Sequence, residues 1–171
     1  MNQSEFVANV LPIQNKLFRL AKRLLVSVEE AEDAAQEVML KLWSKNKILE
    51  TYNSIEAMAM TMTKNYCLDQ LKSKRAQNLQ IVHSNFEEKN SGLQKNIEDV
   101  NTIEWIEKIV NTLPAQQKII LQLRDVEQME FDQIEKITNM NASAVRVALS
   151  RARKTVRESI IKLNNHGISK N

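Results

Sequence analysis

Near the C-terminal end of the chain, Arg146, Arg151, Arg153, Lys154, Arg157 and Lys162 fall within a few helical turns of one another, opposed only by Glu158. A guanidinium donates two parallel hydrogen bonds to a phosphate or to the O6/N7 edge of guanine, and an ammonium supplies a mobile point charge. Ser143 and Ser150 add hydroxyls, and Val147 offers a methyl surface suited to a thymine methyl. This is the chemistry of nucleic-acid recognition. Other chemistry is poorly supplied. Cys67 is the only cysteine, so no internal disulfide can form, and His83 and His166 stand far apart without partners at metal-ligand spacing. With 2 Gly in the whole chain there is no phosphate-cradling glycine loop, and no nucleophile lies beside a base. Catalytic residues, a metal site and a cofactor are therefore not expected, and neither is a small-molecule substrate.

The basic residues need a helix, placed by a turn. Asn139-Met140-Asn141 interrupts two helical stretches, Phe131–Thr138 and Ala142–Leu163. Asn tolerates the left-handed backbone that ends a helix, and Asn141 is a good N-cap for the next. A short helix, a three-residue turn and a basic helix describe a helix-turn-helix. Along the last helix, Val145, Leu149, Ala152, Val156, Ile160 and Leu163 share one face and should pack inward. Ser143, Val147, Ser150, Arg151 and Lys154 share the opposite face, with Arg146 and Arg157 flanking it. A basic run alone is often only a solvated face; the turn in front favours a helix in the DNA major groove. Arg146 and Arg151 are then candidate base readers, and Arg153, Lys154 and Arg157 candidate phosphate contacts.

The rest of the chain also reads as helix. Its 2 Gly and 2 Pro leave few breaks, and no apolar run approaches the length that crosses a bilayer. A cytoplasmic protein is expected. Helical spacing runs from Ser4 to Val26, with a break at Pro12. It resumes at Ser27, where Ser27 and Glu30 have capping-box spacing, and continues through Trp43. A third helix runs from about Ser54 to Arg75. From Ala76 to Asp99 the pattern dissolves into Asn, Gln, Ser and charge, and helical spacing returns at Ile103. Pro114 opens a helix to about Asp125. The reading is all-α: two small helical domains, 1–75 and 100–171, joined by a flexible polar linker at 76–99, the second domain being a helix-turn-helix. The net charge of +3 conceals an acidic middle, Glu87 to Glu135, beside the basic end.

Two ordered blocks carry a family resemblance. Glu32-Asp33-Ala34-Ala35-Gln36-Glu37-Val38-Met39-Leu40-Lys41-Leu42-Trp43 resembles region 2.2 of the extracytoplasmic-function (ECF) sigma factors, and Thr63 to Arg75 resembles their region 2.4. Leu113-Pro114-Ala115-Gln116-Gln117 is similar to the opening of region 4.1, and Leu123 to Glu127, the helix-turn-helix and Leu149-Ser150-Arg151-Ala152-Arg153 follow in family order. The resemblance implies a non-enzymatic protein that brings RNA polymerase core to promoter DNA. By it, Asp33, Gln36, Glu37 and Leu40 contact the β′ clamp helices, while the β flap is a further polymerase contact. Lys64, Asn65, Lys72, Lys74 and Arg75 serve the −10 element. Ser143, Arg146, Val147, Ser150, Arg151, Arg153 and Lys154 serve the −35 element. An anti-sigma factor is a partner that the family often has. The linker acids Glu87, Glu88, Glu98 and Asp99 would thread a polymerase channel.

The chain departs from the family pattern at several places. Met58 and Met60 stand where an aromatic commonly precedes the −10 helix and would wedge against bases. Glu135 takes a position usually small, and Asn139 replaces a turn Gly. Val147 and Ala148 replace polar or basic residues, which implies a −35 sequence of its own. The alternative is a stand-alone helix-turn-helix regulator, which has no need of the Asp33–Trp43 surface; a helical adaptor without DNA is a third reading.

Overall fold

A computed structural model of the chain describes residues 1–82 and 102–168, and every regular element among them is helical. Helix α1 (Gln3–Asn9) opens on a full capping box made by Asn2 and Glu5. Pro12 ends it as expected: it sits in a 3₁₀ turn, Leu11–Ile13, before α2 (Gln14–Leu25). Val26 joins α2 to α3 (Val28–Ser44) at φ 68° and ψ −37°, a strained conformation for a β-branched residue. The cap of α3 is only half of the expected box. Ser27 Oγ accepts from the Glu30 amide at 3.3 Å, but the Glu30 carboxylate turns instead to Lys74 on the neighbouring helix. A short α4 (Asn46–Leu49) leads to α5 (Ile55–Val82), which does not stop at Arg75; the first seven residues of the expected linker continue it as helix. Linker residues His83, Glu87, Glu88, Glu98 and Asp99 lie outside the described residues.

The second block holds α6 (Thr102–Asn111), α7 (Ala115–Leu121), α8 (Phe131–Thr138) and α9 (Ala142–Ile168). Pro114 begins α7 as expected, but the helix passes at Gln122–Val126 into a π turn, closed by Glu127 N–H donating to the Gln122 carbonyl at 3.0 Å. Asn139 ends α8 in the left-handed region (φ 54°, ψ 40°), and Asn141 Oδ1 accepts the Ala144 amide at 2.8 Å to cap α9. Both turn expectations hold. Glu135, at its unusual position, is half-buried, and its carbonyl accepts the amides of both Asn139 and Met140.

The two helical blocks are not held apart. Helix α2 packs on α7 and on the π turn, and α5 packs on α8. One apolar cluster runs through both, from Leu17, Leu20, Val38, Leu42 and Met60 in the first block to Ile120, Leu123, Ile134 and Val145 in the second. Burial of such side chains at roughly 25 cal/mol per Å² is the main term holding helices of this kind together. A smaller cluster, Val110, Leu113 and Ala152, fastens α6 to α9.

Candidate nucleic-acid and polymerase interface

The reading face of α9 forms as its periodicity demands. Val145, Leu149 and Ala152 are buried, while Ser143, Arg146, Val147, Ser150, Arg151 and Lys154 are exposed. Val147 is 45% exposed, so its methyl groups are presented on this face. Two guanidinium groups are positioned by one ring: Arg124 lies 4.6 Å and Arg146 5.1 Å from the centroid of Phe131, the first residue of α8. Such cation–π contacts hold a long flexible side chain in a narrower range. The sequence reading missed Phe131, although an aromatic opening the first helix of the motif, fifteen residues ahead of a reading arginine, was available as a signal.

Arg153 is placed differently from its neighbours. Its Nε and Nη2 donate to Asp125 Oδ2 and Oδ1 at 3.0 and 2.5 Å, a bidentate pair across to the π turn that raises the guanidinium pKa. That side chain braces α9 against the preceding element instead of projecting with the reading face. Lys154 stays exposed, with Glu158 at 3.8 Å one turn on.

In α3, Ala31, Ala34, Ala35, Val38 and Leu42 are buried and Met39 half-buried, so the opposite side is presented outward. Asp33 and Gln36 are exposed, and Glu37 pairs with Lys41 at 3.2 Å. Leu40 is 65% exposed and, with Gln36, Met39, Trp43, Phe6, Leu11 and Gln14, lines an apolar groove between α3 and the N-terminal turns. Phe6 meets Trp43 edge to face at 5.0 Å and fixes one wall. The sequence reading had found Leu40 but not the contribution of α1, because two segments some thirty residues apart meet only in the fold.

The −10 candidates are split. Asn65, Lys72 and Arg75 are exposed on α5. Lys74 is paired with Glu30, whose other oxygen is buried without a hydrogen bond. Lys64 is turned inward: Nζ donates to the Ile137 carbonyl at 2.7 Å, at the C-terminal end of α8, where carbonyls lack helical partners. Burial lowers the pKa of this ammonium. Met60, a candidate wedge against bases, is fully buried in the core, and Met58 is half-buried against it. Apolar residues on the inner side of α5 are needed for packing, so a base wedge cannot come from Met60.

Four polar residues that the sequence reading did not single out join the blocks. Arg19 Nε and Nη2 donate to Glu127 Oε1 and Oε2 at 2.8 and 2.6 Å. Gln122 Nε2 donates to the same Glu127 Oε1 at 3.0 Å, and Arg23 Nε donates to Gln122 Oε1 at 3.2 Å. The Glu127 carboxylate, 1% exposed, raises the Arg19 pKa through these hydrogen bonds. Nearby, Lys118 has its pKa lowered by burial and by the like charge of Arg23. Among the described residues no helix is long and apolar enough to cross a membrane, and no group of three or more His, Cys, Asp or Glu is placed to hold a metal ion.

Comparison with known proteins agrees with the two-block reading. Residues 10–77 match the family model for Sigma-70 region 2, and residues 103–156 match that for Sigma-70, region 4. No curated protein sequence matches the chain. Among solved structures it is similar to the sigma factor RpoE of Bartonella quintana in complex with the anti-sigma factor NepR, with a TM-score of 0.74 and 22% identity over 91% of this chain and 96% of that one. At that identity the likeness speaks to the fold.

Proposed function

The chain belongs to the sigma-70 family and is a sigma factor of the ECF type, with regions 2 and 4 and no large domain between them, and on that premise we propose which of its residues do the work. Its partners are RNA polymerase core and promoter DNA. Region 2, proposed as residues 1–75 with α5 continuing beyond, meets core polymerase through Asp33, Gln36, Glu37 and Leu40. Trp43 and the apolar groove extend that surface. Asn65, Lys72 and Arg75 contact the −10 element directly; Lys64 and Lys74 do so once released from their present partners. Region 4, proposed as residues 100–171, reads the −35 element with Ser143, Arg146, Val147, Ser150 and Arg151, and Lys154 holds phosphate. An anti-sigma factor belongs to the proposal by likeness to the Bartonella complex. So does a cytoplasmic location, where transcription occurs.

The observation that carries the assignment is one exposed apolar groove on α3 in the same chain as an exposed basic reading helix. A regulator acting on DNA alone has no use for the first. Run-off transcription with purified core polymerase and pooled promoter fragments tests it, with Glu37→Lys and Leu40→Asp as variants. Both substitutions alter exposed or half-buried side chains, so the fold should survive. Specific transcripts that fall at least about tenfold with either variant, in step with lost core binding, are expected. Full activity in both variants would reject this surface.

A further inference from the structure

We propose that the cleft lined by α2, α6 and the π turn is a binding site for a small organic phosphate of the nucleoside diphosphate kind. None of the promoter or polymerase contacts assigned above uses its residues. The cleft measures about 250 Å³, a little under the range usual for drug-sized ligands, so it suits a compact anion. A DNA duplex is far too wide to enter it.

One side of the cleft is cationic, and its charge is incompletely used. Arg23 Nε donates to Gln122 Oε1 at 3.2 Å, and Gln122 is held in turn by Glu127 beneath the Arg19 clasp. The Arg23 guanidinium is thus fixed by one edge, while among the described residues its two terminal nitrogens take no partner. A guanidinium held in this way is a preorganised phosphate donor. Lys22, also on the lining, is exposed and has no ion pair among the described residues. Lys118 stands behind Asn111, donating to its carbonyl at 3.4 Å. Burial and the like charge of Arg23 lower the Lys118 pKa, a repulsion that an anion beside them relieves. The carboxylates nearby are Glu127, spent on Arg19, and Glu107, exposed and unpaired among the described residues. Lys22, Arg23 and Lys118 outnumber Glu107, and a cleft of one dominant sign concentrates its field on a small ion.

The remaining lining explains why the phosphate should carry a body. Phe18, Val26 and Val126 supply apolar surface to the same cleft, the two valines being 55% and 49% exposed. A bare phosphate engages only the cations, whereas a ring attached to it also covers this surface and stacks on Phe18. The side-chain amide of Asn111, unpaired among the described residues, adds a donor and an acceptor for a polar edge of that ring. Cations, an amide and an aromatic face within one small cleft are together the recognition chemistry of a nucleotide.

Nuclear magnetic resonance on the full chain tests this. The side-chain amide signals of Asn111 and Gln122 are followed during titration with ADP, with inorganic pyrophosphate, and with sodium chloride at matched ionic strength. Both signals should shift saturably with ADP, saturate later with pyrophosphate, and stay put in chloride. Arg23→Gln should weaken ADP binding about tenfold or more, and Arg23→Lys, which keeps the charge but not the fork, by less. Lys22→Gln should weaken it several-fold and Glu107→Gln should tighten it, whereas Lys47→Gln, exposed on α4, should change nothing. Phe18→Leu should weaken ADP and leave pyrophosphate as it was. Amide signals unmoved by either phosphate would overturn the site, as would equal affinity in wild type and in a folded Arg23→Gln chain. Pyrophosphate bound as tightly as ADP would strike out the organic body of the ligand. Shifts with duplex DNA but with neither small phosphate would give the cleft to nucleic acid and end the proposal. The titrations need no polymerase, so they are judged separately from run-off transcription, whose failure counts against the functional assignments alone.

Discussion

Arg19 and Glu127, 108 positions apart, face each other through two hydrogen bonds of 2.8 and 2.6 Å, the carboxylate almost wholly buried and the guanidinium nearly half exposed. This asymmetry sets unequal costs. Arg19→Ala leaves a buried carboxylate with only Gln122 as partner, whereas Glu127→Ala leaves an arginine that water can serve. After discounting for the open side, Arg19→Ala should cost about 2 kcal/mol and Glu127→Ala about 1 kcal/mol. Urea midpoints of the two variants check the order, and a larger loss for Glu127→Ala would contradict it.

Phe131 stands under both Arg124 and Arg146, so its effect on DNA should be indirect and specific. Arg146→Ala should cost about 1–3 kcal/mol at one base position and relax the preference there. Phe131→Leu, which keeps apolar volume but removes the ring face, should relax the same position by less. Lys154→Ala should weaken all sequences alike and reduce the salt slope by about one. Site selection and salt titration separate these outcomes; an unchanged preference in Arg146→Ala would exclude it as a reader.

Of the three described non-glycine residues at positive φ, Val26, Gln128 and Asn139, the first and the last should respond in opposite ways. Asn139 is suited to its left-handed conformation and its αL turn, so Asn139→Ala should destabilise by about 1 kcal/mol and Asn139→Gly very little. Val26 is ill suited at φ 68° and is 55% exposed, so Val26→Gly forfeits little packing and should raise the thermal midpoint. Thermal unfolding of the three variants is the check.

Burial pushes the Cys67 thiol up to about 12 from an ordinary 9.0. At pH 8 the folded thiolate fraction is then about a thousandfold below that of the unfolded chain, so alkylation should be slow until urea exposes the residue. The linkage has a sign. Because the folded pKa is the higher, the contribution to stability is complete below 9.0 and is lost as pH rises from 9.0 toward 12. Alkylation at pH 8 as fast in buffer as in urea would refute the burial.

What the sequence disclosed was local or periodic. Asn139 and Asn141 announced a turn because each acts on backbone atoms within four residues of itself, and the Val145–Leu149–Ala152 stripe announced an inner face because helical period is a local property. Ser27 announced its cap, but the fate of Glu30 was decided by Lys74, more than forty residues away. Met60 looked like a base wedge because its packing partners are on other helices. Lys64 and the Arg19–Glu127 clasp escaped for the same reason: a charged residue reads as solvated until the tertiary fold brings a partner to it.

The π turn at Gln122–Val126 acts as a phase shifter. In an uninterrupted α-helix, residues five apart diverge by well over a right angle, so Gln122 and Glu127 would look in different directions. The one extra residue in the turn cancels that rotation and aims both side chains at α2, where Gln122 donates to Glu127 and Arg19 closes on it. Removing a single residue there would let the segment relax to ordinary α geometry, with α8 and α9 still able to fold on their own caps. The two halves of the molecule would then survive as modules that have lost their angular agreement, and coupling between them could be deleted without deleting either one.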